Sequence, residues 1–167
     1  MYRILRGTIL IYSTVGRTHF FPLPKMPTSY IADFAFTAGY DPATQQVHAR
    51  WRGIVPDADL YAHYAELMAL AEANGNCCFW LLDAQARANS TPAFGRWMGN
   101  DFAPLAYAAL GQPLFMAYVV SPAYRAAVSG PAGQAMQHSC AAHNVYSFYF
   151  EDLEPAQEWL AHQQAYH

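Results

Sequence analysis

Cys77-Cys78-Phe79-Trp80-Leu81-Leu82-Asp83 is the stretch whose reading decides the fold. Six apolar residues follow one another without alternation, and one aspartate closes the run. A strand that is apolar on both faces belongs inside a sheet covered by helices on both sides. The stretch therefore predicts an α/β architecture. It also predicts that Asp83 stands at the carboxyl end of its strand, the edge where open α/β sheets place loops and ligands.

Upstream, residues 34–40 and 46–51 read as two strands, joined by the turn chemistry of Asp41-Pro42-Ala43-Thr44 into a hairpin. In the second strand Val47, Ala49 and Trp51 alternate with His48, Arg50 and Arg52, so one face is buried and the other wet. His48 reads there as a solvated strand residue. Asp57 is the expected N-cap of a helix carrying Leu60, Tyr64, Leu67, Met68 and Ala71 at helical spacing. Tyr61 and His63 lie off that stripe and are expected to be exposed. Asn74-Gly75-Asn76 ends the helix.

Downstream, residues 84–90 read as a loop, and Ser90 or Thr91 caps a helix that Pro92 opens. Phe94, Trp97, Met98, Phe102 and Leu105 keep helical spacing, but Gly99-Asn100 and Pro104 predict a break. Two short helices are expected, the second capped by Asn100 or Asp101. Residues 114–120 form a second all-apolar strand, closed by Ser121-Pro122. Residues 123–144 read as helical, with an interruption at 129–133. A last strand at 146–150 precedes a helix opened by Pro155, with Ala156, Trp159 and Leu160 facing inward. The order β-β-α-β-α-β-α-β-α predicts a single α/β domain over residues 31–167. Its five-stranded sheet is mixed and mostly parallel, with an antiparallel first pair and flanking helices.

Composition narrows the function classes. The chain has 167 residues, 54% hydrophobic and 13% charged, and no apolar run approaches the ~20 residues of a membrane-spanning helix. Three cysteines, two adjacent in a core-like strand, read as buried thiols of a reducing compartment, which points to the cytoplasm. Residues 1–26 hold Arg3, Arg6, Arg17 and Lys25 and no acid; the remainder holds five basic and twelve acidic residues. An acidic body without a basic stripe excludes nucleic-acid binding through phosphate neutralisation. Residues 1–30 read as an N-terminal extension, with Met26 as an alternative start; an ordinary arm packed on the sheet is the competing reading.

Several of these stretches together carry a resemblance. They are Trp51-Arg52-Gly53, Trp80-Leu81-Leu82-Asp83, Trp97-Met98 with Phe102-Ala103-Pro104-Leu105, residues 117–122, and Phe148 through Trp159-Leu160. Over residues 34–162 the chain resembles the STAS/SpoIIAA-like domains, and within them the STAS/SEC14-like group. The resemblance implies the same fold and a non-enzymatic regulatory or scaffolding module with a protein partner. In anti-sigma-factor antagonists of this kind an Asp-Ser pair caps the helix after the central strand, and a partner kinase phosphorylates the Ser. The matching place here is Asn89-Ser90-Thr91; Asn replaces the Asp, and the usual following Gly is missing.

The candidate site is the carboxyl edge of the two most buried strands, with Asp83 and Arg87 after one and Ser121 and Arg125 after the other. Asp83 and Arg87 either pair locally or line a polar pocket. Ser90 and Thr91 are either helix caps or a phosphorylation switch. A cavity under residues 92–110, walled by Trp97, Phe102 and Tyr124, would suit a hydrophobic small molecule or lipid, as the SEC14-like label suggests. Cys77, Cys78, Cys140, His138 and His143 have no metal-ligand spacing. No phosphate-binding glycine motif or nucleophile elbow is present, so no cofactor and no catalytic residue is assigned. The only lysine is Lys25, which excludes Schiff-base chemistry from the body. Three readings follow: an interaction module that self-associates through apolar helix faces, a hydrophobic-ligand carrier, and an enzyme, for which no motif speaks.

Overall fold

The computed structural model describes residues 31, 32, 35–87 and 91–167. The expected extension over 1–30, the start at Met26, and Ser90 lie outside the described residues. The described chain builds a six-stranded mixed sheet. The edge strand β1 (Ile31–Ala32) precedes β2 (Phe36–Asp41) and β3 (Gln46–Gly53), and these three are antiparallel. Strands β4 (Phe79–Arg87), β5 (Leu114–Val119) and β6 (Val145–Phe150) add in parallel. The expected five strands and their directions are present, with β1 as an addition.

The β2–β3 turn forms as its residues dictate. The Asp41 carboxylate accepts from the Ala43 amide and the Thr44 hydroxyl, both at 2.9 Å. These two bonds hold its pKa below the usual carboxylate value.

The strands stand in the sheet in chain order, so each crossover steps one place in the same direction. Because parallel crossovers are right-handed, three equal steps put all their helices on one face. Those helices are α1 (Asp57–Ala73), α2 (Pro92–Trp97), α3 (Ala103–Leu110), α4 (Pro122–Val128) and α5 (Pro131–Ala141). Beneath them lies the larger core, with Val47, Trp51, Trp80, Leu82, Met116 and Tyr118 from the sheet. Among the described residues, the opposite face receives only α6 (Leu153–Tyr166), whose Ala156 and Leu160 pack on Leu81, Phe115, Ala117 and Val119. This explains the two kinds of strand seen in the sequence. β5 is buried at all six positions because helices cover both sides, whereas along β3's outer face burial falls off from Gln46, which bonds Gln164 of α6, to the exposed Arg50 and Arg52.

Four local expectations are corrected. Asp57 is the first helical residue, with Pro56 at the cap position. His63 is buried, not exposed: it stacks on Phe36 at 3.9 Å and accepts the Trp51 indole N–H at 3.2 Å. Tyr61 is half-buried against Trp97, with ring centroids 4.5 Å apart. Between α2 and α3 there is no break and no Asn100 or Asp101 cap; a π-helical turn, Met98–Phe102, joins them. Pro104 then falls just after the π turn, whose Met98 carbonyl accepts the Ala103 N–H.

Candidate functional site

The strand Phe79–Arg87 runs four residues past Asp83, so Asp83 sits mid-strand and not in a loop. Opposite it stands Arg50, whose Nε donates to Asp83 Oδ2 at 2.7 Å. The expected pairing of Asp83 with Arg87 is therefore wrong, and the reason is a β-bulge. Arg50 faces Asp83 but Arg52 faces Ala86, so β4 holds one residue more than β3 over this span. An extra residue reverses the in-out parity of a strand. Asp83 points to the α6 face, and Arg87 is buried under the helices with 3% of its surface exposed. The Arg87 guanidinium carbon lies 5.0 Å from the Phe94 ring centroid and 5.7 Å from that of Tyr124, distances typical of cation–π contacts.

The predicted site residues thus divide between two places. On the open face, beside α6, is a groove of about 540 Å³ with a polar floor formed by Thr37, His48, Arg50 and Asp83. His48 is partly buried, and its Nε2 has no hydrogen-bond partner among the described residues. Burial lowers its pKa, with Asp41 opposing weakly, so the imidazole is held toward the neutral form. Gln85 bridges from the Asp83 carboxylate to the Glu151 carbonyl, at 3.1 and 2.7 Å. Arg50 and Asp83 neutralise each other, and the remaining charge in the lining is the Asp41 carboxylate, already bonded to its own turn.

On the helix-covered face a cavity of about 420 Å³ opens over the carboxyl-end halves of β5 and β6. Tyr118 and Tyr149 line it from adjacent strands, their rings stacked at 5.0 Å. Phe94 and Gly95 of α2, the start of the π turn, Tyr124 of α4, and Ala132 and Met136 of α5 complete the wall. π turns inside helices recur at functional sites, and this one carries Met98, Gly99 and Asn100 into the lining. The helices close because Gly99 has no side chain: a Cβ there would lie 2.7 Å from Ser139 Cβ and Oγ.

Under the cavity, the Tyr64 and Tyr118 hydroxyls meet at 2.5 Å. Burial raises the Tyr64 pKa; the bond to Tyr118 and the nearby Arg87 charge pull the other way. Tyr118 and Tyr149 are raised chiefly by burial as well, so all three are neutral phenols that can donate or accept.

The remaining expected residues fall as follows. Thr91 lines the cavity and caps α2, accepting the Phe94 amide at 3.0 Å while its hydroxyl donates to Asp57 at 2.5 Å. Ser121 caps α4, accepting the Tyr124 amide at 3.2 Å. Arg125 is not part of a pocket with Ser121; it pairs with Glu151 at 3.1 Å. Tyr124 lines the cavity as expected, but Trp97 and Phe102 do not. Those two join Tyr61, Tyr64 and Phe94 in an aromatic cluster between α1 and α2. Among the described residues no three His, Cys, Asp or Glu side chains form a metal-ligand group, and no helix is long and apolar enough to cross a membrane.

Tyr118 and Tyr149 were missed by sequence reasoning. For Tyr118 the available signal was a hydroxyl inside an otherwise apolar, doubly covered strand, which requires a buried partner; Tyr149, on the partly exposed strand β6, gave no such signal. Comparison with protein-family models, with curated proteins and with solved structures finds no match for this chain.

Proposed function

We propose that the protein is a non-enzymatic carrier or sensor of a small, largely apolar molecule, held between α2, the π turn and the α4–α5 pair. The observation that carries this reading is the cavity of about 420 Å³. Its size falls in the range of small-molecule sites, and its apolar wall with a few convergent hydroxyls has their usual chemistry. The test uses the neutral dye N-phenyl-1-naphthylamine with wild-type protein and Gly95→Leu. A Cβ at Gly95 would make only an ordinary 3.8 Å contact with Met136 Sδ, and Gly95 lines the cavity, so a leucine there is expected to fill cavity space. Saturable one-to-one dye binding that Gly95→Leu abolishes is the expected result. No saturable binding, or equal binding by a folded Gly95→Leu variant, refutes the carrier reading.

A second reading, a STAS/SpoIIAA-like interaction module acting by self-association, draws on a different surface. β6 pairs only with β5 among the described residues, and Phe148 and Leu153 beside it are each about half exposed. An uncharged edge strand with exposed apolar side chains can template pairing with another chain. Light scattering of wild type and Phe148→Glu checks it: a dimer that the substitution dissociates supports the module, and a monomeric wild type removes it. A phosphorylation switch at Thr91 draws less support, because its hydroxyl already bonds the Asp57 carboxylate, which would repel a phosphate.

A further inference from the structure

We infer that the molecule held in this cavity is an anionic amphiphile, with a carboxylate or similar group at the rim beside Arg96 and an apolar body inside. The inference rests on the carrier reading and adds the ligand's charge.

Arg96 is the only charged side chain among the described residues that line the cavity. It is exposed, and it makes no ion pair with any described residue. Elsewhere the described body is acidic. Of its other exposed arginines, Arg50 and Arg125 are paired with carboxylates, and Arg52, like Arg96 in no ion pair with a described residue, lies on β3 and not in this lining. Asn100, also exposed and also lining, follows Arg96 by four residues along the α2–π run, so a donor amide adjoins the guanidinium on one helical side.

A second cation lies behind the wall. Arg87 rests against Phe94 and Tyr124, and both rings line the cavity. Its charge acts through ring and protein, where the effective dielectric is far below that of water. No carboxylate is among the described lining residues: Asp57 stands one bond behind the lining Thr91 hydroxyl, and Asp101 is exposed. Among the lining residues a ligand in this cavity therefore meets one positive charge, Arg96, and no negative one. The interior beyond the rim is apolar, from Met98, Ala127, Val128 and Met136, and suits an alkyl or aryl body and not a second charge.

The test is displacement of N-phenyl-1-naphthylamine by three probes of equal chain length: octanoate, 1-octanol and octylammonium. The expected order of affinity at low salt is octanoate first, octanol second and octylammonium last, with at least a ten-fold gap between the first two. Arg96→Gln should shrink that gap several-fold, and Arg96→Glu should invert the order. Arg96 is exposed, so both variants keep the fold. If octanol or octylammonium equals or exceeds octanoate, the anionic assignment falls while the carrier reading stands. The same holds if the gap survives intact in Arg96→Glu. If neither the dye nor any probe binds, the carrier reading itself falls.

Discussion

The contact between Gly99 and Ser139 decides whether the cavity has a wall, and Gly99→Ala tests it. The new Cβ would lie 2.7 Å from both Ser139 Cβ and Ser139 Oγ, where ordinary contact begins near 3.4 Å. Helix α5 must therefore retreat from the π turn by about 0.7 Å or more. Overpacking of this kind costs about 1–3 kcal/mol. Alanine's lower backbone entropy returns up to about 1 kcal/mol of that in a helical position. The net expectation is a loss of about 1–2 kcal/mol, or about 2–4 °C in Tm per kcal/mol for a chain of this size. Urea unfolding followed by tryptophan fluorescence measures it. Ser139→Gly removes both offending atoms and leaves the Met136 carbonyl oxygen at 3.7 Å, an ordinary contact. In a double-mutant cycle the pair should then be more stable than the two single losses sum to, by about 1 kcal/mol or more. Dye binding should weaken in Gly99→Ala and recover in the double variant. If Gly99→Ala is as stable as wild type, or loses as much in the Ser139→Gly background, the helices do not meet there and the cavity wall is wrong.

Other expectations are independent of that contact. Tyr64→Phe leaves the Tyr118 hydroxyl with only the Met116 sulfur, at 3.6 Å, and should cost about 1–3 kcal/mol; adding Tyr118→Phe should restore part of the loss, as measured by urea unfolding. The His48 pKa is lowered in the folded state, so as pH falls the unfolded chain takes up the proton first. Its contribution to stability is full above pH ~6.5 and is lost as pH drops below that value; Tm against pH should be flatter in His48→Gln over that window, and parallel curves would refute the assignment. Burial pushes the Cys78 and Cys140 thiols up to about 11, so neither should react with a disulfide reagent at pH 8 until the protein unfolds. Arg50→Gln should change stability by no more than about 1 kcal/mol, because the arginine side chain is 55% exposed and its pair with Asp83 is screened.

Much of the fold was legible because burial leaves periodic traces. The unbroken apolar runs of β4 and β5 identified the central strands, and Asp41-Pro42, Thr91-Pro92 and Ser121-Pro122 marked turns and caps that the structure contains. Other features left no such trace. His63 lay off the expected stripe, yet α1 is covered by the sheet on one side and α3 on another, and the Trp51 N–H needs an acceptor in that core. Gly99-Asn100 looked like a helix break because glycine is a poor helix former; its use here is to admit a neighbouring helix, which only the tertiary arrangement reveals. The candidate residues were read as one site at the carboxyl edge of the strands, whereas the structure divides them between two surfaces. A two-residue spacing rule places Asp83 and Arg87 on the same side of a strand, and no local composition signals the bulge that separates them.

That bulge has a consequence for how the molecule can change over time. Within five residues, one strand supplies the ion pair of the solvent-facing groove and the guanidinium behind the enclosed cavity. In a regular strand the two would share a surface, and altering one would disturb the other. The inserted residue separates their surroundings, so selection can retune the polarity of the open groove without touching the charge behind the cavity. Conversely, deleting a single residue between Asp83 and Arg87 would exchange the compartments that β4's last residues address, a larger functional change than any substitution at either position.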